Sequence, residues 1–406
     1  MTTDLATAAP PPTPPPPQRE RMVRGPADAA VTLVVGGLLA WLVWRVGRFV
    51  VVTGRWEIVR VNLTNLLAGL FPRDALWRPM VALVLSVVAL FFGAGATKPI
   101  PSGPRPPAPS AGSRLQALAP AWPVALLVAA LALLVRSLVP VAALAGLSVM
   151  AAAAWSAGRR VPRRMVRWAL LGALAGLVAG VVVLVAFGSP GWDRMGGLLL
   201  TLWLAIGGIL LSFPAGVVLA LGRRSSLPAV RAVSAAYIEL MRGVPLVALL
   251  FIGQLVIGYL LPPGAGRLGG VTRALIVIVA FTAAYVAEIV RGGLQSVPKG
   301  QVDAAVALGL STLAVQRLVV VPQALRAVIP ALVGQFITLF KDTSLVSTIG
   351  LVELLGVSEA IPNQPQFLGQ GQAEVLGFAS FVFWVGAYSM SRASRRLERR
   401  LGVGIR

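Results

Sequence analysis

Apolar runs of roughly 20 residues recur along this chain and constrain its fold more than any other feature. A helix of about 20 residues crosses the hydrocarbon core of a bilayer, so each run is a candidate membrane span. Only 12% of the 406 residues are charged, whereas soluble proteins carry about 25%. We therefore predict an all-α polytopic membrane protein with about ten transmembrane helices. The candidate spans are residues 29–52, 77–95, 119–136, 138–157, 166–188, 196–221, 244–262, 271–290, 323–347 and 373–391.

The distribution of basic residues predicts the orientation of these spans. The chain has 36 Lys and Arg against 14 Asp and Glu, a net charge of +22. If the spans alternate from a cytoplasmic amino terminus, most basic residues fall in cytoplasmic segments, as the positive-inside rule requires. Both termini and residues 300–322 are then cytoplasmic, and the charge indicates membrane orientation rather than nucleic-acid binding. One predicted outside loop does not fit, because it holds or borders Arg45, Arg48, Arg55, Arg60, Arg73 and Arg78.

The absence of certain residue types and motifs from the sequence disfavours several kinds of chemistry. The chain has no Cys and no His, which removes thiolate ligands and the commonest general base and metal ligand. It also has no Gly-x4-Gly-Lys-Ser/Thr loop to cradle the phosphates of ATP. We therefore predict no catalytic residue, no metal site and no bound cofactor, so the chain is not itself an enzyme.

The amino-terminal half is predicted to be a membrane extension. Residues 10–17, PPPTPPPP, favour extended chain, so residues 1–28 are predicted to be a disordered cytoplasmic tail. Residues 29–190 then hold about five helices, with a flexible loop at 98–120 and a glycine face, every fourth residue from 172 to 180, for close helix packing. Residues 55–79 are a candidate interfacial helix with Trp56, Leu66, Leu70, Phe71 and Trp77 as membrane anchors.

Residues 300–322, GQVDAAVALGLSTLAVQRLVVVP, form an amphipathic segment between two spans. Its alanines favour a helix over residues 302–308, and Gly309 can end that helix in the left-handed conformation. Ser311 or Thr312 can cap a second helix, and Pro322 suits the start of the next span. The pattern predicts a helix, a turn, a second helix and re-entry into the membrane.

The same segment admits a second interpretation, a helix that lies on the lipid surface without a partner. Its apolar positions allow this arrangement at Val302, Ala305, Leu308 and Leu313. The local sequence pattern therefore does not distinguish binding to a protein partner from binding to the lipid surface.

The segment also resembles the EAA loop of binding-protein-dependent ABC importer permeases. That pattern is Glu-Ala-Ala, three residues, Gly, nine residues and Ile-x-Leu-Pro. Here Asp303 replaces the Glu, Gly309 keeps its spacing, and Val319-x-Val321-Pro322 closes the pattern. Five further segments resemble the polar amino-acid permease family in order and spacing, at residues 239–245, 285–293, 297–301, 322–326 and 341–345. Residues 55–79 resemble the extension of the M-type permease of general L-amino-acid ABC transporters.

The resemblance implies that residues 191–406 are a type I ABC importer permease core with a cytoplasmic coupling helix. It implies import of polar or general L-amino acids across a bacterial inner membrane, with ATP and Mg used by a separate ATPase. It further implies ATPase subunits, an identical or homologous permease, a periplasmic solute-binding protein, the amino acid and the bilayer as partners. The ATPase-docking residues are then Gly300, Asp303, Ala304, Ala305, Gly309 and Pro322.

Ionisable residues inside spans are candidates for the substrate pathway, because charges at membrane depth are costly without a role. Glu288 either forms a same-face ion pair with Arg291 or meets the ammonium group of a substrate. The run Lys341-Asp342-Thr343-Ser344 interrupts the ninth span and either contacts the substrate zwitterion or holds two helices together through a Lys341–Asp342 pair.

Other functional classes remain open at the level of sequence. An ion-coupled secondary amino-acid transporter would need coupling carboxylates inside the spans and often shows internal repeats. A membrane scaffold or channel subunit would need neither. Binding of an ATPase to residues 300–322 distinguishes the importer from both.

Overall fold

Helices dominate the computed structural model, which describes residues 25–96, 122–136, 139–185, 194–260 and 268–401. Strand pairing in these parts amounts to one isolated bridge, between Gly197 and Glu353. The all-α prediction is therefore confirmed. The proline-rich residues 10–17, almost all of the predicted tail and the predicted loop at 98–120 lie outside the described residues.

The chain divides into two compact units, Met1–Arg55 and Trp56–Arg406. The described part of the first unit is helix α1 (Pro26–Arg48), prolonged by a π-helical turn, Phe49–Thr53. No residue of α1 is buried, and its length and hydropathy suit a membrane span.

The second unit begins with two short helices, α2 (Glu57–Val61) and α3 (Leu63–Ala68), followed by a 3-10 turn, Arg73–Ala75. Leu66 is 0% exposed and Phe71 3%, and both pack in hydrophobic clusters with residues from the carboxy-terminal half. The interfacial-helix hypothesis is therefore wrong for these two side chains, because they are surrounded by protein and not by lipid headgroups. Leu70 and Trp77 are exposed as expected.

Four helices follow: α4 (Trp77–Ala96), α5 (Trp122–Val135), α6 (Val139–Arg159) and α7 (Val166–Val185). α4 packs closely against α6 and α7 through glycines such as Gly95 and Gly158, where a Cβ would collide with the opposing backbone. The predicted glycine face is confirmed at residues 176 and 180, which meet α4. At residue 172 a Cβ would have no described residue within 4 Å.

The remaining helices form the core of the second unit. They are α8 (Gly197–Arg223), α9 (Pro228–Gly243), α10 (Leu246–Leu260), α11 (Gly270–Gln295), α12 (Lys299–Ala307), α13 (Thr312–Val315), α14 (Val321–Asp342), α15 (Leu354–Ala360) and α16 (Gln372–Leu401), with a π turn Gln316–Val320 and 3-10 turns Thr343–Ile349 and Ile361–Asn363. α8 and α11 pack along their lengths. Gly208 of α8 permits close packing with α11 and α14, because a Cβ there would lie 3.2 Å from Ile278 and 3.1 Å from Leu339.

Each of the ten predicted apolar runs contains a helix. Within the described residues, seven helices are long and apolar enough to cross a membrane, or eight if α9 and α10, bent by 109°, count as one broken span. α5 has 14 residues and is about 21 Å long, shorter than the roughly 30 Å hydrocarbon core. The fold is thus polytopic, and ten full crossings stay a prediction.

Candidate functional site

The loop between α11 and α14 (residues 296–320) is built around a turn at Gly309. The backbone N–H of Gly309 donates to the carbonyl of Val306 at 2.9 Å, and that of Leu310 donates to the carbonyl of Ala305 at 3.2 Å. This pair of bonds is the Schellman motif, which needs a left-handed residue after the helix. Gly309 supplies it with φ of 76°, so the predicted helix end is confirmed.

The second half of the loop runs directly into the membrane helix. Ser311 is the cap of α13, since its Oγ accepts from the backbone N–H of Ala314 at 3.4 Å. The π turn Gln316–Val320 then joins α13 to α14 without a break, and Pro322 is the second residue of α14. The predicted second helix, α13, is therefore continuous with α14. A displacement of α13 would also displace the start of α14.

The loop has its own small hydrophobic core. Ala305, Val315 and Val320 are buried together, with Leu294 and Val297 packed against them. Two of the four apolar positions that could have contacted lipid instead pack inside the loop, because Ala305 is buried and Val302 joins the same cluster. The loop is therefore packed against the end of α11 as well as the start of α14.

The outward surface of the loop is exposed and partly apolar. Of the six predicted docking residues, only Ala305 is buried; the other five are exposed. A Cβ at Gly300 or Gly309 would meet nothing within 4 Å. Leu308 is 82% exposed on the same loop, and Val306 is exposed beside it. A partner surface can approach these small side chains closely and cover the two apolar ones.

A network of arginines surrounds Glu288 in α11. Arg291 Nη2 lies 2.8 Å from Glu288 Oε2, and Arg223 Nη1 lies 3.0 Å from Oε1. Arg242 Nη1 lies 3.5 Å from Oε2 and its guanidinium stacks 5.5 Å over the ring of Tyr285. Three guanidinium groups from α8, α9 and α11 thus share one carboxylate, whose side chain is 15% exposed.

This network decides between the two roles predicted for Glu288. Glu288 has its predicted ion pair with Arg291 and two partners that are distant in sequence, so its oxygens are already occupied by cations. Arg242 contacts both Glu288 and Tyr285. The geometry favours a link among three helices at Glu288 over an open site for a substrate ammonium group.

The polar run at the end of α14 is split between buried and exposed positions. Thr343 is buried and its hydroxyl donates to the carbonyl of Phe340 at 2.7 Å. The Ser344 hydroxyl donates to the carbonyl of Lys341 at 2.8 Å. Lys341 is exposed, and among the described residues no ion pair joins it to a carboxylate. Asp342 lies half-buried where α14 ends and the 3-10 turn begins.

Lys341 continues an exposed face of α14 that carries small side chains. The exposed residues recur at helical spacing and lie on one side of the helix. At Gly334 a Cβ would meet nothing within 4 Å. This face consists of Ala327, Ala331, Gly334, Thr338 and Lys341.

A buried acid that sequence reasoning missed joins the start of α8 to α15. Glu353 is completely buried; its Oε1 accepts from the backbone N–H of Gly356 at 2.9 Å, and its Oε2 accepts from the Thr201 hydroxyl at 3.2 Å. It lies between two candidate spans, and burial raises its pKa to about 7. Helix caps are usually Ser, Thr, Asp or Asn, so a Glu gave no signal.

Comparison with known proteins shows that this chain is similar to transport proteins. A family described as binding-protein-dependent transport system inner membrane component matches residues 212–403. The glutamate/glutamine/aspartate/asparagine transport system permease protein BztC of Rhodobacter capsulatus is 34% identical over 94% of this chain and 92% of its own length.

Two further relatives cover about half of the chain. The inner membrane amino-acid ABC transporter permease protein YhdY of Escherichia coli is 46% identical over 52% of this chain and 57% of its own length. The probable glutamine ABC transporter permease protein GlnP of Bacillus subtilis is 35% identical over 52% of this chain and 92% of its own length.

Proposed function

Because the chain belongs to the family of binding-protein-dependent transport system inner membrane components, we propose that it carries polar L-amino acids into the cytoplasm. It is a multi-pass permease of the bacterial inner membrane, and an ATPase and a solute-binding protein are the partners that the family implies. The substrate class is supported by the three relatives, whose names all include an amino acid or amino acids as cargo.

The loop at residues 296–320 is the proposed ATPase-docking site, and its exposed, small-residue surface is the observation that carries this proposal. Gly300, Asp303 and Ala304 form the outward face of α12, while Ala305 holds the helix against the rest of the loop. Since α13 is continuous with α14, a push on α12 reaches a membrane helix through packed side chains and backbone. If this loop is in the cytoplasm and the ten predicted spans alternate, both termini are cytoplasmic as well.

ATP-dependent uptake tests this proposal against ion coupling. The transporter, reconstituted in vesicles with its ATPase and binding protein, should accumulate labelled glutamine only with ATP and Mg. Dissipating the ion gradients should leave this uptake unchanged. Uptake that follows an imposed ion gradient without ATP would instead support a secondary transporter.

The exposed face of α14 that ends at Lys341 is the proposed lining of the substrate pathway. A cation at membrane depth is costly unless it faces water or a partner. Lys341 is exposed, and among the described residues no carboxylate lies at ion-pair distance from it. Its ammonium can meet the carboxylate of an amino acid, with Asp342 and Ser344 beside it. Thr343 is buried and therefore supports the turn rather than the substrate.

We expect Lys341→Ala to reduce uptake by about tenfold or more, because a hydrogen bond to a charged group contributes roughly 1.5–3 kcal/mol. The ATPase should still co-purify in normal amount. The matched variant Ser347→Ala, which removes a hydroxyl that donates to the carbonyl of Ser344 on the same turn, should transport nearly normally. Loss of assembly by Lys341→Ala, with normal transport by the residual complex, would show that Lys341 is structural.

A further inference from the structure

Two distant parts of the chain meet at Gly69 and Gly196. A Cβ on Gly69 would lie 2.5 Å from the Cα of Gly196. Since a C–C bond is about 1.5 Å, the two Cα atoms are within about 4 Å, close to the roughly 3.8 Å between consecutive residues. The chain therefore leaves and returns at one point, as it does around an inserted domain. The inserted segment is residues 70–195.

The residues before this point, Trp56–Gly69, are built into the core as a clamp. Val59 and Leu66 are both 0% exposed and share a cluster with Leu354 and Val375. Gln364 Nε2 donates to Asn62 Oδ1 at 3.0 Å, and Asn62 Nδ2 donates to the carbonyl of Ile58 at 3.0 Å. Buried side-chain amides with satisfied partners fix a unique position for this segment.

The residues after this point complete the same junction. The backbone N–H of Gly197 donates to the carbonyl of Val352 at 2.9 Å. Gly197 has φ of 57°, and its Cα lies against the carbonyls of Asn65 and Leu66. Thr201, one turn later, bonds Glu353. The clamp, the start of α8 and the start of α15 therefore touch one another at one end of the core.

The inserted helices contact mainly one another. α4, α6 and α7 pack together, whereas α5 lies against α16 with the Trp122 and Trp384 rings 5.4 Å apart. At its flanks the insertion contributes Phe71, Ala75 and Met195 to the buried core. Three leucines of α5 also pack against the cluster that contains the clamp: Leu127, Leu131 and Leu134.

We propose that the clamp Trp56–Gly69 is a positioning element of the transport machinery, which holds the start of α8 against α15 while that end of the core opens and closes. This inference rests on the proposed function. The permease core then begins at Trp56 rather than at the predicted residue 191, and is interrupted by residues 70–195. The clamp moves as one body with residues 361–371 throughout the transport cycle.

Two nearby glycines provide a matched test in the full-length chain. Gly369 and Gly371 have similar positive φ, 73° and 70°, so a substitution strains the backbone at both positions. A Cβ at Gly371 would lie 2.7 Å from Ile58 of the clamp, whereas at Gly369 it would meet nothing within 4 Å. We expect Gly371→Ala to lower uptake per assembled transporter by about threefold or more relative to Gly369→Ala. Equal uptake by the two variants would overturn the proposal.

Cross-linking gives a second measurement that does not depend on transport. The natural chain has no cysteine, so Asn62→Cys with Gln364→Cys creates the only thiol pair. A short thiol cross-linker should join the pair both without nucleotide and with the ATPase trapped by vanadate. It should not lower uptake below that of the same double-cysteine variant before cross-linking. A cross-link that fails to form, or that lowers uptake below this reference, contradicts the single rigid body. If wild-type uptake is independent of ATP, the proposed function has failed, while the cross-link still reports the clamp.

Discussion

Gly309→Val is expected to abolish ATP-driven uptake while the chain still inserts in the membrane. Gly309 has φ of 76°, where a β-branched residue costs roughly 1–3 kcal/mol. Apart from Gly309 and its two chain neighbours, no described residue comes within 4 Å of a Cβ at this position, so the cost comes mainly from the backbone. The two hydrogen bonds of the Schellman motif should open, and α12 should lose its fixed angle to α14. Uptake into vesicles, normalised to the amount of inserted protein, measures the effect.

A graded series separates this backbone effect from a side-chain effect. Asn tolerates the left-handed conformation better than other residues, so Gly309→Asn should retain much of the uptake. Gly300→Ala places a methyl group on the same loop in helical backbone with nothing nearby, and it should be nearly neutral. Normal uptake by Gly309→Val would refute the mechanical role of the turn.

Glu288→Gln has the second large expected effect. It removes the carboxylate that Arg223, Arg242 and Arg291 share, leaving three guanidinium groups close together at partial burial. Breaking a buried ion pair by removing one partner costs roughly 3–5 kcal/mol. We therefore expect a lower melting temperature in detergent, weaker assembly and loss of uptake.

Glu239→Gln is the matched control. Glu239 also pairs with Arg223, at 2.9 Å, but its side chain is 68% exposed, and exposed pairs contribute about 0–1 kcal/mol. It should leave the melting temperature almost unchanged. If Glu288→Gln forms a normally stable complex and raises only the apparent KM for substrate, Glu288 contacts the substrate and the structural link is wrong.

The features that sequence predicted best depend on neighbouring residues. Apolar runs of membrane length located the helices, because inside a bilayer a helix satisfies the hydrogen bonds of its own backbone groups. Gly309 and Ser311 were predicted as helix end and cap because each acts on residues within one turn. The amphipathic helix α9 was missed, although Pro228 at its start is a recognised signal.

The features that sequence missed depend on contacts between distant residues. Arg223 and Glu288 are 65 positions apart, Thr201 and Glu353 152, and Asn62 and Gln364 302. No local pattern indicates such partners, so Glu288 was considered only with Arg291. The burial of Leu66 and Phe71 was missed for the same reason, since an amphipathic segment next to a span fits a lipid interface equally well.

Co-purification of the ATPase tests the central claim, that residues 296–320 form its docking site. The tagged permease should retain the ATPase in mild detergent, and Asp303→Arg should lose it, because the change reverses a charge on the exposed face of α12. Glu359→Arg, the same kind of change at an exposed position of α15, should retain it. Retention by the folded Asp303→Arg variant, or no ATPase with the native chain, would contradict the account.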